Sequence, residues 1–222
     1  MRTLAFSAVF LFGANVRAEE PVGRHAPDYS LWVGARLGMI GFGNSFYGGP
    51  RGDTTGNLVQ AGGTLEVDAG ARLGKRHVPY LFYEEGLVIP GRKLSGTGAL
   101  ITTRFFGLGF RYTALDPDGI GFLADISLGW RTLSISANGS TYEISGFETF
   151  RLGLGAELRL GTRVVLSPLV YVSGGVMSTN SGSVTFRDGS TPPFTGGANI
   201  TDQRGYLVLG IGCGIHFDLI GK

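Results

Sequence analysis

Apolar residues alternate with small or polar ones through much of this chain, most cleanly over 205–217, Gly-Tyr-Leu-Val-Leu-Gly-Ile-Gly-Cys-Gly-Ile-His-Phe. Leu207, Leu209, Ile211, Cys213, Ile215 and Phe217 share one parity, while Tyr206, Val208, Gly210, Gly212, Gly214 and His216 share the other. Successive side chains of a strand point to opposite faces, so this segment is a strand with one apolar face and one nearly bare face. Its length suits the roughly 9 to 11 residues with which a tilted strand crosses a bilayer's hydrocarbon core.

The same period predicts seven earlier strands. The first covers 29–42, and the second, 58–72, sets Val59, Ala61, Leu65, Val67 and Ala69 against Gln60, Thr64, Glu66, Asp68 and Arg72. The third, 78–89, carries Glu84 and Glu85 on opposite faces, which calls for a bulge and leaves its register open. In the fourth, ending at Tyr112, Arg104 breaks an otherwise apolar parity; either a bulge near 102–103 turns it inward or it reaches head groups. The fifth sets Ile120 to Trp130 against Asp125, Ser127, Gly129 and Arg131. The sixth sets Phe150, Leu152 and Leu154 against Thr149, Arg151, Gly153, Gly155, Glu157 and Arg159, and a two-residue turn at 161–162 leads to the seventh, 163–176.

Connections at 44–57, 90–97, 137–143 and 177–203 are longer than the turns between them, an even-stranded meander with its long loops at one end. The expected fold is all-β: an eight-stranded antiparallel up-and-down transmembrane β-barrel, its first and last strands neighbours because a closed barrel leaves no unpaired edge in lipid. A secreted soluble barrel with the greasy face inward has the same periodicity. Composition argues against it, since 16 of the 19 basic residues are arginine and Lys75, Lys93 and Lys222 fall in turns, a loop or the tail, whereas a solvated strand face scatters lysine. Trp130, Phe110, Tyr112, Phe122 and Phe217 near strand ends on the apolar face suit interfacial girdles.

Arg2, the apolar run 4–14 and Val16-Arg17-Ala18 form a secretory signal pattern over 1–18. A leader at 19–28, a barrel at 29–218 and a tail at 219–222 follow. Without Arg2 and Arg17 the basic and acidic residues balance at 17 each, so charge gives no indication of nucleic acid as a partner.

The alternation over 205–217, with Tyr206, Gly210, Gly212 and the closing aromatic Phe217, resembles the carboxy-terminal strand by which bacterial outer-membrane barrels are recognised for insertion. Over 29–217 the pattern resembles the small eight-stranded barrels of the OmpA, OmpX and OmpW-like group. That resemblance implies an outer-membrane location with both termini periplasmic. It also implies contact with outer-membrane lipid and lipopolysaccharide, handling by the barrel-assembly machinery, and an extracellular ligand through 177–203.

The inward inventory is Arg36, Glu66, Asp68, Arg72, Arg111, Asp125, Arg131, Arg151, Glu157 and Arg159, with one carboxylate of Glu84 or Glu85. Charges in a narrow lumen must pair, so a salt-bridge network is expected, with Arg36 beside Glu66 near mid-membrane. His25, His77 and His216 read as leader, turn and interface residues rather than a base, and with Cys213 they give no metal-ligand spacing. No catalytic residue, metal or cofactor is assigned; the Gly-x-Gly runs precede no helix, so they are not phosphate cradles. The favoured function is structural or surface interaction through the external loops. A narrow or lateral conduit for small or hydrophobic solutes is the alternative, and a lipid A-modifying enzyme is the weakest.

Overall fold

The computed structural model describes residues 25–47, 54–197 and 199–221. The signal pattern at 1–18 lies outside them, as do most of the leader and the middle of the first long loop. Eight strands form one closed sheet in sequence order: β1 (Tyr29–Asn44), β2 (Val59–Leu73), β3 (His77–Pro90), β4 (Leu100–Leu115), β5 (Ile120–Ala137), β6 (Ser140–Arg159), β7 (Val164–Gly182) and β8 (Gly205–Gly221). Every neighbouring pair is antiparallel, and β8 pairs back onto β1. A single helical turn, α1 (Thr55–Leu58), precedes β2.

Following paired residues from Trp32 through Gly70, Tyr80, Gly109, Ser127, Arg151, Ser173 and Val208 returns to β1 at Phe42, ten residues further along. That stagger tilts the strands and sets the bore of a barrel whose interior side chains can fill. The facing is the lipid-soluble arrangement: Leu37, Leu81, Leu108, Leu154 and Leu209 lie on the outer surface, while Arg72, Arg111 and Arg131 are fully buried inside. Tyr83, Phe106, Trp130 and Phe147 pair in succession across β3 to β6 and form an outward aromatic row.

Several local expectations are corrected. β3 needs no bulge: its ladder with β4 is continuous from His77↔Tyr112 to Val88↔Ile101, so Glu84 points inward and Glu85 outward. The β4–β5 ladder is likewise unbroken through Thr102 and Thr103, so Arg104 stays outside, where its Nε lies 3.6 Å from Glu85 Oε1. At the start of β2 an irregularity between Val59 and Gly62 reverses the parity, burying Val59 and exposing Gln60. In β6 a register shift between Glu148 and Phe150 puts Thr149 outside and Glu148 inside. The β6–β7 connection has four residues, closed by Leu160 N donating to Val164 O, rather than a two-residue turn. β8 continues past Phe217 to Gly221, so 219–221 are ladder rather than tail.

The largest difference lies at the long-loop end. The segment 137–143, expected as a loop, is a tight hairpin in which Asn138 and Gly139 both have positive φ, 52° and 77°, as a type I′ turn demands. Above Trp130 the pattern inverts: Leu133, Ile135, Tyr142 and Ile144 point inward, while Thr132, Ser134, Glu143 and Ser145 point outward. An apolar inside and a polar outside are what water dictates, so this end of β5, β6 and β7 rises clear of the lipid belt. Its interior is an apolar cluster into which the loops insert Phe46, Leu94, Val184, Phe186 and Ile200.

Candidate functional site

Beneath that apolar stopper the lumen holds the charges, and alternation alone brings most of them there. In the upper layer, Arg36 and Glu66 are direct cross-strand partners, with Nη1 2.8 Å from Oε1. Arg151 Nη1 donates to the other Glu66 oxygen at 2.8 Å and its Nη2 to Glu84 at 3.0 Å. Arg131 bonds Glu148 through Nε and Nη2, and Glu84 and Thr103 through Nη1. Phe105 supplies a ring face to both guanidinium groups, 4.6 Å from Arg131 and 4.4 Å from Arg151.

The middle layer is built on Asp68, Arg111 and Asp125. Arg111 Nε donates to Asp125 at 3.1 Å, and the Tyr80 hydroxyl donates to the same carboxylate at 2.6 Å. Trp32 stacks on the His216 ring at 4.3 Å and offers its face to Arg111 at 4.8 Å. His216 Nε2 lies 3.1 Å from Asp68 Oδ2, and its Nδ1 lies 3.1 Å from Ser167 Oγ. Arg111 Nη1 lies 3.3 Å from the same Nε2, so the ring is held between a guanidinium, a carboxylate and a hydroxyl. Serine, histidine and aspartate thus stand in the order of a hydrolase triad, but Ser167 and His216 have no solvent-exposed surface. Here the line ties β7 and β8 to β2.

The lower layer joins Arg72 and Arg159 to Glu157 and Asp218. Arg72 donates to Asp218 at 2.9 Å and Glu157 at 3.1 Å, and Arg159 donates to Asp218 at 3.0 Å. Ser30 and Thr113 donate to Asp218 and Glu157. All ten charged residues expected in the lumen are there. Sequence reasoning missed Glu148, hidden by the bulge, Asp218, one step beyond the assumed strand end, and His216, placed by the sequence at an interface but fully buried. Among the described residues there are seven buried carboxylates, counting Glu84, against six buried arginines.

At Gly210 and Gly212 the missing side chain leaves no crevice on the lumen face. A side chain at Gly210 would collide with the ring of Tyr171, and one at Gly212 would press on the Arg36 stem. Tyr206 points inward and its hydroxyl donates to Glu148 at 3.2 Å, while Phe217 faces outward opposite Val33 and Val164. Among the described residues, no group of three or more His, Cys, Asp or Glu is arranged to hold a metal.

The long loops are knitted together above the stopper. Lys93 N donates to Asn57 O, Arg187 N to Lys93 O at 2.8 Å, and Arg92 Nη2 to Asn57 Oδ1 at 3.0 Å. Lys93 Nζ sits 5.1 Å over the Phe186 ring. Asp188 closes a local turn by accepting from Ser190 N and Oγ, which holds its carboxyl below the usual range.

No protein-family model and no curated protein sequence matches the chain. Solved structures do. Neisserial surface protein A superposes with a TM-score of 0.57 at 11% identity, covering 86% of this chain and 99% of that one. The outer-membrane protein OprG from Pseudomonas aeruginosa gives 0.48 at 11% identity, covering 88% and 99%. Ail of Yersinia pestis gives 0.43 at 9% identity, covering 87% and 100%. The chain has the fold of the small eight-stranded outer-membrane β-barrels.

Proposed function

We propose that this protein is an outer-membrane barrel that works through its external surface, with the charged lumen acting as an internal strut rather than a conduit. Both termini then lie in the periplasm, and lipopolysaccharide surrounds the outer wall. The observation that carries this reading is the two-stage closure of the bore. An ion-paired, aromatic-lined network fills it at membrane level, and the apolar cluster of loop and strand residues caps it outside. A solute would have to break desolvated ion pairs below and extract packed apolar side chains above. What remains presentable to a partner is the loop crown, where Arg92, Arg187 and the Arg204–Asp202 pair are exposed.

Two measurements test this. A cysteine placed at Ser190, in a Cys213→Ser background, should react with a membrane-impermeant maleimide on intact cells. The purified barrel should give no discrete conductance steps in planar bilayers. Steps with the loops intact would return the protein to the conduit reading, and labelling only after outer-membrane lysis would reverse the topology.

A further inference from the structure

The outer wall is not uniformly smooth. Between β1, β2 and β3 a depression of about 610 Å³ is lined by Leu37, Leu65, Leu87, Gly63, Glu85 and Thr102. A second, of about 420 Å³, continues it toward the loop end past Met39, Ala61, Ile89 and Leu100. Gly63 and Leu87 line both, so the two form one groove. Its cause is local: Ala61 and Gly63 put almost no side chain on the outer face between larger neighbours. A Cβ built at Gly63 would meet nothing closer than the Gly38 carbonyl oxygen, at 3.9 Å.

The groove lies in the greasy belt, where its surroundings are acyl chains, yet it has a charged margin. Glu85 and Arg104 sit side by side on the outer face, each side chain about half exposed at 52%. They stand one outward position nearer the loop end than Tyr83 and Phe106 of the aromatic row, with Thr102 beyond. Charge facing lipid is costly unless something there uses it. Glu85 approaches the Arg104 Nε, and a half-exposed guanidinium has further N–H donors in the fork geometry that suits an oxyanion.

From this geometry we propose a lipid-binding site on the outer wall: an acyl chain of lipopolysaccharide lies in the groove over Ala61 and Gly63, and a lipid A phosphate is held by Arg104, with Thr102 beside it. The choice of lipid rests on the orientation given under Proposed function, which puts this end of the belt in the outer leaflet. The binding test below does not depend on that orientation.

The probe is purified bis-phosphorylated lipid A added to the detergent-solubilised full chain and read by native mass spectrometry. Phosphatidylglycerol of matched chain length is the competitor. The wild-type barrel should retain lipid A in preference to phosphatidylglycerol. Gly63→Leu, which fills the groove without a backbone clash, and Arg104→Gln should each lower the bound fraction about tenfold. Both should keep the heat-sensitive gel mobility of the folded barrel, separating loss of binding from loss of fold. Equal retention of the two lipids, or unchanged lipid A binding in a folded Gly63→Leu protein, would overturn the proposal. Surface labelling at position 190 reports on topology independently, so a wrong orientation and a wrong site give different results.

Discussion

Tyr80 and Gly109 face each other across β3 and β4, and the tyrosine ring occupies the space that any side chain at Gly109 would need. Tyr171 and Gly210 repeat the arrangement across β7 and β8. The many lumen-facing glycines are therefore not empty positions in a channel. They let large rings lie flat against the wall, where those rings help fill the bore and Tyr80 reaches Asp125. Gly109→Ala should displace the Tyr80 ring, break its bond to Asp125 and destabilise the barrel by about 1–3 kcal/mol. Urea unfolding in lipid vesicles measures this. An unchanged midpoint would mean that the ring has other places to go.

Glu148 has the most demanding position in the upper layer. It pairs with Arg131, approaches Arg151 at 3.6 Å and accepts from Tyr206. Removing one member of a desolvated pair leaves the other charge buried and uncompensated, a penalty of about 3–5 kcal/mol. Glu148→Ala should therefore lower stability by that order, whereas Glu143→Ala, on the outward face above the belt, should change it by less than about 0.5 kcal/mol. The two variants belong in the same denaturation series, and similar losses would refute the layered lumen.

The contrast between Arg36–Glu66 and Glu148 shows what the sequence carries. Arg36 and Glu66 lie in uninterrupted alternation on adjacent strands, so parity alone places them inside and face to face. Glu148 lies beyond a shift of register in β6, where the two-residue count goes out of phase and points it the wrong way. Residues 133–144 fail for a different reason. The solvent changes from lipid to water along the same strands, so the rule relating apolarity to facing reverses, and a hairpin looks like the end of two strands. Local pattern encodes the period, but bulges and the lipid boundary are set by the assembled sheet.

At the opposite end the leader is pinned by Asp118, in the β4–β5 turn. Ala26 N donates to its Oδ1 at 2.7 Å, His25 Nδ1 lies 3.2 Å from Oδ2, and Lys75 Nζ is 3.6 Å away. Partial burial alone would raise this carboxyl's pKa, but the Ala26 and His25 hydrogen bonds and the Lys75 charge outweigh that and hold it below the ordinary value. A depressed carboxylate stabilises the docked leader above its unfolded pKa, near 3.9, and that contribution fades as pH falls through the lower docked value. Hydrogen exchange at the Ala26 amide should stay protected from about pH 8 to pH 5 and lose protection only at strongly acid pH. Asp118→Asn should remove the acid dependence. Protection that persists in that variant with the same acid profile would assign the clasp elsewhere.

The two tryptophans offer a direct test of which face meets lipid. Trp32 lies in the lumen, sandwiched between His216 and Arg111, and is fully buried. Trp130 lies on the outward aromatic row between Phe106 and Phe147. Bromine on an acyl chain quenches indole fluorescence at short range, so in vesicles of brominated lipid the emission of Trp130 should be quenched and that of Trp32 spared. Trp32→Phe should leave the quenched fraction nearly complete, whereas Trp130→Phe should leave a fluorescent residue that brominated lipid hardly affects. Both substitutions keep an aromatic ring in place, which limits the packing loss, although Trp32→Phe gives up part of its stack on His216. A soluble barrel with its aliphatic residues at the centre would show no quenching in either variant, because neither indole would meet lipid, so the quenching of Trp130 in Trp32→Phe is the discriminating result. Equal quenching of both tryptophans would mean that lipid reaches the lumen, and the closed, charge-filled interior would have to be abandoned.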